Sequence, residues 1–169
     1  MEKEETKKKN IIKEYLPYVL IIILVILIKR YIVSPVKVSG TSMMDTLHSG
    51  DIMILNSSAY YFEDIKRFDI VVIDEGKEYI IKRVIGLPGE TVEYRDNKLY
   101  INDKELKDSY GNGLTNDFKA KVGKNSYFVL GDNRTNSMDS RIFGNFKKNK
   151  IIGKTNLTVF PFKRFGTKK

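Results

Sequence analysis

An uninterrupted apolar run near the N-terminus constrains this chain more than any other feature. Residues 15–28 read YLPYVLIIILVILI and contain no charged side chain. Lys29 and Arg30 follow, and three more apolar residues come after them. A helix over residues 15–33 therefore reaches the roughly 20 residues that a membrane span requires, provided that the two cations extend to the interface. The pattern predicts a transmembrane anchor over residues 15–33.

Two other interpretations fit this apolar run less well. A buried core helix would rarely lack a polar face. A cleaved signal peptide should end in small residues, but this run ends in Lys-Arg-Tyr-Ile-Val. Five lysines lie within residues 1–14 and fewer cations follow the span closely, so the positive-inside rule predicts a cytoplasmic tail over 1–14 and an extracytoplasmic domain over 34–169. We therefore expect a single-pass protein of the cell membrane.

The composition limits the chemistry that the rest of the chain can carry. With 169 residues, the chain is long enough for one domain with its own core. It has no cysteine and one histidine, which excludes disulfides and thiolate ligands and makes a metal site unexpected. The net charge of +9 would suit nucleic acid or an anionic lipid surface. Because the sequence has no RNA-binding motif and the domain is expected outside the cell, we expect contact with the lipid bilayer and none with nucleic acid.

The residues after 34 have the pattern of short β-strands. Six runs rich in Val, Ile, Tyr and Phe are bounded by Gly, Asn, Asp or Pro: 51–56, 68–74, 79–86, 91–103, 126–131 and 150–160. Residues 95–98 are typical of a hairpin turn, residues 58–67 favour one short helix, and the polar residues 104–124 indicate a long surface excursion. Closely spaced strands without intervening helices predict a mostly β, antiparallel, barrel-like or coiled-sheet domain.

A candidate nucleophile follows the apolar run. Ser42 lies in the stretch VSGTSMMDTLHSGD, residues 38–51, which could equally be a polar linker. A serine nucleophile needs a base, and the chain offers two candidates. His48 lies six residues away, in a turn-like setting that is typical of a solvated histidine. Lys82 lies in the strand YIIKRVIG, where apolar neighbours on its own face could lower its pKa, although strand lysines usually extend to solvent.

A third segment, residues 131–144, concentrates charged and hydroxyl side chains in the sequence GDNRTNSMDSRIFG. Its charged residues are spaced to form ion pairs around a tight turn: Asp132, Arg134, Asp139 and Arg141. Two of its serines, Ser137 and Ser140, could hydrogen-bond an amine. Taken alone, the segment is also compatible with a charged surface loop.

Together and in this order, SGTSMMDTL, IIKRVIGLPGE and GDNRTNSMDSRIFG after one N-terminal anchor resemble the type I signal peptidases of bacteria, in the compact form typical of Gram-positive species. These are membrane-bound serine proteases that remove signal peptides from exported preproteins after small residues. The resemblance implies this activity, no cofactor, and signal peptides as partners. It also implies the mostly β coiled-sheet fold that the family shares with self-cleaving SOS repressors.

The resemblance further implies roles for individual residues. Ser42 matches the nucleophile, Lys82 matches the general base, and the oxyanion would be held by the Ser42 N–H and by Gly40, where some members have serine. Ser137 matches the serine that orients the lysine. The residues that match the support of the active-site wall are Asp139, Arg141, Asp132 and Arg83. The residues that match the lining of the small substrate pocket are Met43, Leu47 and Ile81.

Two positions depart from the family pattern. Asp45 stands where the family usually has proline, and Phe68 stands where glycine commonly precedes the Asp-Ile-Val strand. A carboxylate near Lys82 would favour the ammonium form and weaken the base, so we expect Asp45 to point to solvent. The same departure leaves open a catalytically inactive, membrane-tethered homologue that acts as a binding module.

Overall fold

The protein begins with a long helix. The structure, a computed structural model, describes residues 2–31 and 33–168, with side chains described over 13–27 and 34–168. Helix α1 spans Glu2–Tyr31, and its described side chains are all exposed. Over the part of the chain that is described, no helix combines the length and the hydropathy of a membrane span. The last side chains of the predicted anchor, 28–33, and those of residues 1–12 in the predicted tail lie outside the described residues.

Short strands make up most of the remainder. In chain order they are β1 (Val33–Lys37), β2 (Ile52–Asn56), β3 (Ile70–Asp74), β4 (Tyr79–Gly86), β5 (Thr91–Arg95), β6 (Lys98–Ile101), β7 (Lys104–Leu106), β8 (Phe118–Lys121), β9 (Ser126–Leu130), β10 (Phe146–Lys147), β11 (Ile151–Phe160) and β12 (Gly166–Thr167). Short helices lie between them: α2 (Ala59–Phe62), α3 (Ser140–Phe143) and two 3₁₀ turns at Lys148–Lys150 and Phe162–Arg164.

The larger sheet has the strand order β1-β2-β11-β3-β4-β9-β10, and β12 pairs with β11. Its strand pairs are antiparallel. The pairings of β11 with β2 and β3 and of β4 with β9 contain register shifts, which increase twist and help a sheet to curl. The prediction of a mostly β, antiparallel domain is confirmed, and β4 coincides with the predicted run at 79–86.

The second sheet has the order β7-β6-β5-β8. The predicted hairpin joins β5 to β6, and Asp96 and Asn97 in its turn both have the positive φ of a type I′ turn (51° and 59°). The segment 104–124, expected to be a surface excursion, supplies two of the four strands. The reason is visible in its last part: Phe118, Ala120 and Val122 alternate with lysines and pack against the core of this sheet.

Three clusters of buried apolar side chains form the core, and one of them joins the two sheets through residues such as Phe128 and Tyr94. Another lies directly beneath the candidate site and contains Val38, Met43, Leu47, Met53 and Ile70. This cluster fixes the loop after β1 because Met43 and Leu47, which flank the turn of that loop, are 2% and 0% exposed. The candidate nucleophile therefore lies on a loop that is anchored on both sides by buried residues.

Candidate active site

Ser42 and Lys82 meet, although they are separated by 40 residues in sequence. Lys82 Nζ is hydrogen-bonded to Ser42 Oγ at 2.7 Å. The lysine is only 4% exposed, whereas Ser42 is half-buried at the edge of a cleft. Burial lowers the pKa of Lys82, and Arg141 acts in the same direction, while Asp139 and Asp132 oppose it. The result is a lysine that gives up its proton more readily than an exposed lysine and that lies within reach of a hydroxyl.

The cleft beside this pair runs along a free edge of β4. On one side, β3 pairs with β4 from Tyr79 to Arg83, but β9 pairs with β4 only from Arg83 onward. The cleft has a volume of about 430 Å³. Its opposite wall is formed by residues 37–43, which follow β1. The backbone groups of 79–82 on the cleft side are thus available to an extended chain.

The predicted pocket residues are divided between the cleft and the core. Met43 and Ile81 line the cleft. Leu47 is fully buried in the cluster beneath and is absent from the cleft wall. Met138 and Phe143, which the sequence interpretation did not single out, also line the cleft and are 61% and 40% exposed. Phe143 is placed there by α3, a four-residue helix that no periodicity in the sequence predicts, and Met138 lies just before that helix.

Backbone and amide hydrogen bonds hold the Ser42 loop against the segment after β9. Asn133 donates its backbone N–H to the Ser42 carbonyl at 3.0 Å and its side-chain amide to the Thr41 carbonyl at 3.2 Å. Asn136 Nδ2 donates to Thr41 Oγ1 at 2.9 Å. These two asparagines were missed in the sequence interpretation, which considered the segment only for its charges and serines.

Gly131 is the point of closest approach between the two segments. A Cβ at this position would clash with the Ser42 carbonyl oxygen and with the Ser137 side chain. Ser137 and the Ser42 carbonyl therefore both lie against the same face of Gly131. Its Oγ is buried and forms no hydrogen bond of ordinary geometry within the described residues, although it is close enough to Asp139 to help lower the pKa of that carboxyl.

Asp139 organises the predicted supporting residues. Its carboxylate accepts hydrogen bonds from Arg141 Nε and Nη2 at 2.9 and 2.8 Å and from the Gly131 N–H at 3.0 Å. Burial raises the pKa of Asp139, but the hydrogen bonds from Arg141 and Gly131 outweigh burial, so the net shift is downward. Arg141 Nη1 also donates to the Arg134 carbonyl at 2.8 Å. The pair thus fixes the turn that carries Ser137.

Arg83 and Asp132 form the second predicted pair. Arg83 Nε and Nη2 donate to the two carboxylate oxygens of Asp132 at 2.8 and 2.7 Å, and both side chains are fully buried. Arg83 Nη1 donates to the Phe68 carbonyl at 2.9 Å, and Thr46 Oγ1 donates to Asp132 at 2.5 Å. The pair ties β4, which carries Lys82, to the segment after β9.

Few hydrogen-bond donors lie where the resemblance places the oxyanion. Gly40 has a positive φ of 84°, and a Cβ there would meet nothing within 4 Å. The Ser42 N–H forms no hydrogen bond within the described residues, so it is available to a ligand. Gly40 offers no side-chain donor at the position where some family members have serine.

His48 and Asp45 lie outside the cleft. The backbone N–H of His48 donates to Asp51 at 3.0 Å, and no hydrogen bond joins the ring to Ser42. Asp45 is exposed and accepts a hydrogen bond from Asn112 Nδ2 at 2.8 Å, which agrees with the expectation that it points to solvent. Asp45 and Asn112 line a second, wider groove of about 760 Å³, whose lining contains no pairing of a nucleophile with a base.

Comparison with known proteins gives one consistent family. The family described as signal peptidase, peptidase S26, matches residues 11–160. A signal peptidase I of Bacillus amyloliquefaciens is 40% identical over 175 residues, which cover 95% of each chain. Signal peptidase I T of Bacillus subtilis (strain 168) is 40% identical over 177 residues, which cover 95% of this chain and 92% of that relative. The crystal structure of a signal peptidase I from Enterococcus faecalis V583 superposes on this chain with a TM-score of 0.50 and 40% sequence identity. The matched region covers 54% of this chain and 97% of that chain. The chain belongs to the signal peptidase family, peptidase S26.

Proposed function

We propose that this protein is a membrane-anchored signal peptidase I that cleaves signal peptides from exported preproteins with Ser42 as nucleophile and Lys82 as general base. The observation that carries the proposal is the 2.7 Å contact between Lys82 Nζ and Ser42 Oγ, with the lysine buried and its pKa lowered. Family membership supports the reaction, because the relatives named above are signal peptidases.

Acylation begins with proton transfer to Lys82. The neutral amine takes the proton of Ser42 as Oγ attacks the scissile carbonyl, and the free N–H of Ser42 stabilises the oxyanion. Gly40 contributes at most its backbone to that stabilisation. Lys82, now charged, protonates the leaving amine; the neutral base that results activates the water that hydrolyses the acyl-enzyme. Ser137, Asp139, Arg141, Asp132 and Arg83 hold the two reacting side chains in place.

The substrate binds as an added strand. The free edge of β4 at residues 79–82 offers backbone partners to an extended segment, and residues 37–43 close the other side. Met43 and Ile81 limit the space beside Ser42, which favours small side chains next to the scissile bond. Leu47 acts from below, by supporting Met43 in the core cluster.

The N-terminal helix anchors the enzyme in the cell membrane. The aliphatic side chains of Val, Leu and Ile from Leu16 to Leu27 are between 47% and 58% exposed, and no other part of the described chain buries them, so lipid is the environment that suits them. The lysines of residues 1–14 support an orientation with the tail in the cytoplasm and the catalytic domain outside. A tether of this kind holds the cleft close to the bilayer surface, where signal peptides emerge.

One assay tests the dyad. The detergent-solubilised protein is incubated with an exported precursor, beside Ser42→Ala, Lys82→Ala and His48→Ala. We expect cleavage by the wild type and by His48→Ala, and none by the other two variants. An uncut precursor with the wild-type protein contradicts the peptidase proposal and favours a binding module, and a loss confined to His48→Ala contradicts the assignment of the base.

The topology has its own test. Because the chain has no cysteine, single cysteines introduced at Lys7 and Lys77 are the only thiols to be labelled. With a membrane-impermeant maleimide on intact cells, we expect Lys77→Cys to react and Lys7→Cys to react only after lysis. The reverse pattern contradicts the proposed orientation.

A further inference from the structure

Residues 108–112 contact three parts of the active site without lining the cleft. We infer that this segment, which lies between the strands β7 and β8 of the second sheet, is a positioning element. It keeps Lys82 Nζ within hydrogen-bond distance of Ser42 Oγ. The inference rests on the dyad proposed above. The residues of the 108–112 segment form no hydrogen bond with Ser42 or Lys82. They act through Arg134, Arg83 and the Ser42 loop.

Asp108 acts through Arg134. Arg134 is 3% exposed, and its Nη1 contacts both Asp108 and the hydroxyl of Tyr94. Its Nε donates to the Gly131 carbonyl at 2.9 Å, and its own carbonyl accepts from Arg141. Asp108 is thus the anionic partner of the buried Arg134 guanidinium. Through its hydrogen bonds to Gly131 and Arg141, Arg134 stabilises the turn that carries Ser137.

Tyr110 acts through Arg83. The guanidinium carbon of Arg83 lies 3.9 Å from the centre of the Tyr110 ring. The Phe68 ring lies 5.1 Å from the Tyr110 ring centre, so Tyr110 packs against both side chains. Arg83 directly follows Lys82 on β4, and a displaced Arg83 would therefore shift the base.

Asn112 acts on two loops. Its N–H donates to the Asp132 carbonyl at 2.7 Å, and its carbonyl accepts from the Arg134 N–H at 2.8 Å, so it lies beside Asn133 as a short parallel bridge. Its side-chain amide reaches Asp45 at 2.8 Å, in the loop of the nucleophile. Asn133 in turn donates to the Ser42 carbonyl. Asn133 thus contacts both Asn112 and the proposed nucleophile, and it links one to the other.

These contacts connect the three sequence segments of the site at positions outside the cleft. Catalysis by proton transfer requires the two heavy atoms to stay within hydrogen-bond distance, and misplacement by about 1 Å costs on the order of 100-fold in rate. Loss of the 108–112 contacts should therefore lower kcat by about 10- to 100-fold while KM stays within about twofold, because the segment does not line the substrate cleft.

The test pairs each variant with a matched control in the full-length protein. Asp108→Asn is compared with Glu93→Gln, which removes the carboxylate partner of Arg95 and Lys119 on β5 of the second sheet, outside the three segments of the site. Tyr110→Leu is compared with Tyr100→Leu, because the Arg95 guanidinium lies 4.4 Å from the Tyr100 ring in the second sheet. Measured quantities are kcat and KM on a signal-peptide substrate and the melting temperature.

We expect both 108–112 variants to lose kcat and both controls to retain it at comparable losses of melting temperature. Tyr110→Phe, which keeps the ring, should restore kcat. Asn112→Ala, at an exposed position, should fold normally and lower kcat by several fold, which keeps the test decisive if Asp108→Asn does not fold. Unchanged kcat in Tyr110→Leu and Asn112→Ala, equal losses in the controls, or a change confined to KM overturns the inference. If instead Ser42→Ala and Lys82→Ala remain active, the dyad itself fails.

Discussion

Lys82 is buried next to carboxylates that would normally keep it protonated. Burial is the largest influence on its pKa and lowers it, whereas Asp139 and Asp132 raise it. Each of these carboxylates, however, is held by an arginine through two hydrogen bonds, Arg141 for Asp139 and Arg83 for Asp132. The ion pairs offset the charges of the two carboxylates that act on Lys82, so burial determines the direction of the shift.

Glu78 is a carboxylate that acts on Lys82 without such a partner: it forms no ion pair within the described residues, and it raises the pKa of Lys82 from the cleft wall. We expect Glu78→Gln to lower the pKa of Lys82 and so to move the acid limb of the kcat/KM profile to lower pH, since the proposed mechanism requires the neutral amine. Asp45→Asn, the same change at an exposed carboxylate bonded to Asn112, should leave the midpoint in place. A shift of a unit or more in Asp45→Asn, or none in Glu78→Gln, contradicts this account.

Lys82 should cost stability at neutral pH. Its folded-state pKa lies below the ordinary lysine value of 10.5, so between these two values the unfolded chain binds more protons and wild-type stability rises with pH. Lys82→Met keeps the volume without the ionisable group, and we expect it to be inactive but more stable at pH 7 by about 0.5–2 kcal/mol. The gain should shrink as pH approaches 10.5.

Denaturant titrations at several pH values measure this gain. Lys98→Met is the control, because the Lys98 side chain is 58% exposed and its removal should change stability little at any pH. A Lys82→Met variant that is less stable than the wild type at pH 7 contradicts the assigned cost of burial.

Phe68 shows how a departure from the family pattern is accommodated. Its φ of 69° lies in the left-handed region, which explains why glycine is common at this position in the family. The strain in a bulky residue is offset by contacts, since the ring packs on Tyr110 and on the core of the second sheet. The position is therefore tied to the 108–112 segment.

Among the structural elements, the approach of the Ser42 loop to the segment after β9 is the least tolerant of added volume. A Cβ on Gly131 would clash with the Ser42 carbonyl oxygen, a backbone atom that cannot move without moving the nucleophile. We expect Gly131→Ala to lower kcat by about 100-fold or more, because Ser42 leaves its position against Lys82. The assay compares kcat on a signal-peptide substrate for the variant and the wild type.

Gly123→Ala provides the control for this change. Its nearest neighbour would be Ser126 Oγ at 3.4 Å, an ordinary contact at the start of β9. It should retain wild-type kcat. Full activity in Gly131→Ala would mean that the Ser42 loop moves freely, contrary to its hydrogen bonds with Asn133 and Asn136.

The strands could be predicted from the sequence more completely than the contacts between them. The run of Val, Ile and Tyr predicted β4 at its observed bounds, and the Asp-Asn turn predicted the β5–β6 hairpin. The meeting of Ser42 and Lys82 was expected from the resemblance, because a period-2 pattern places a lysine on a face but does not say what lies opposite. Asp108, Tyr110 and Asn112 could not be found, because a polar stretch rich in glycine gives no indication of partners 26 to 67 residues away.

At the scale of the whole molecule, α1 takes no part in the core clusters of the strand-rich domain. The described side chains of α1 are exposed, and the core clusters draw only on residues after 35. Folding of the domain should therefore not depend on α1, whereas access to a membrane-bound substrate should. A tether raises the effective concentration of enzyme at the bilayer, and such an effect is worth about 10²–10⁴ in apparent affinity.

Deleting residues 1–31 tests this separation. We expect the shortened protein to cleave a short soluble signal-peptide substrate with kcat/KM within about twofold of the full chain, because the cleft is formed by residues after 36. On a precursor embedded in vesicles, its kcat/KM should fall by about 100-fold or more, and an unrelated transmembrane helix fused before Val33 should restore the rate. Equal losses on both substrates would show that α1 contributes to the fold of the active site. Equal retention on both would show that membrane tethering contributes nothing to the rate, which the position of Ser42, only a few residues after β1, argues against.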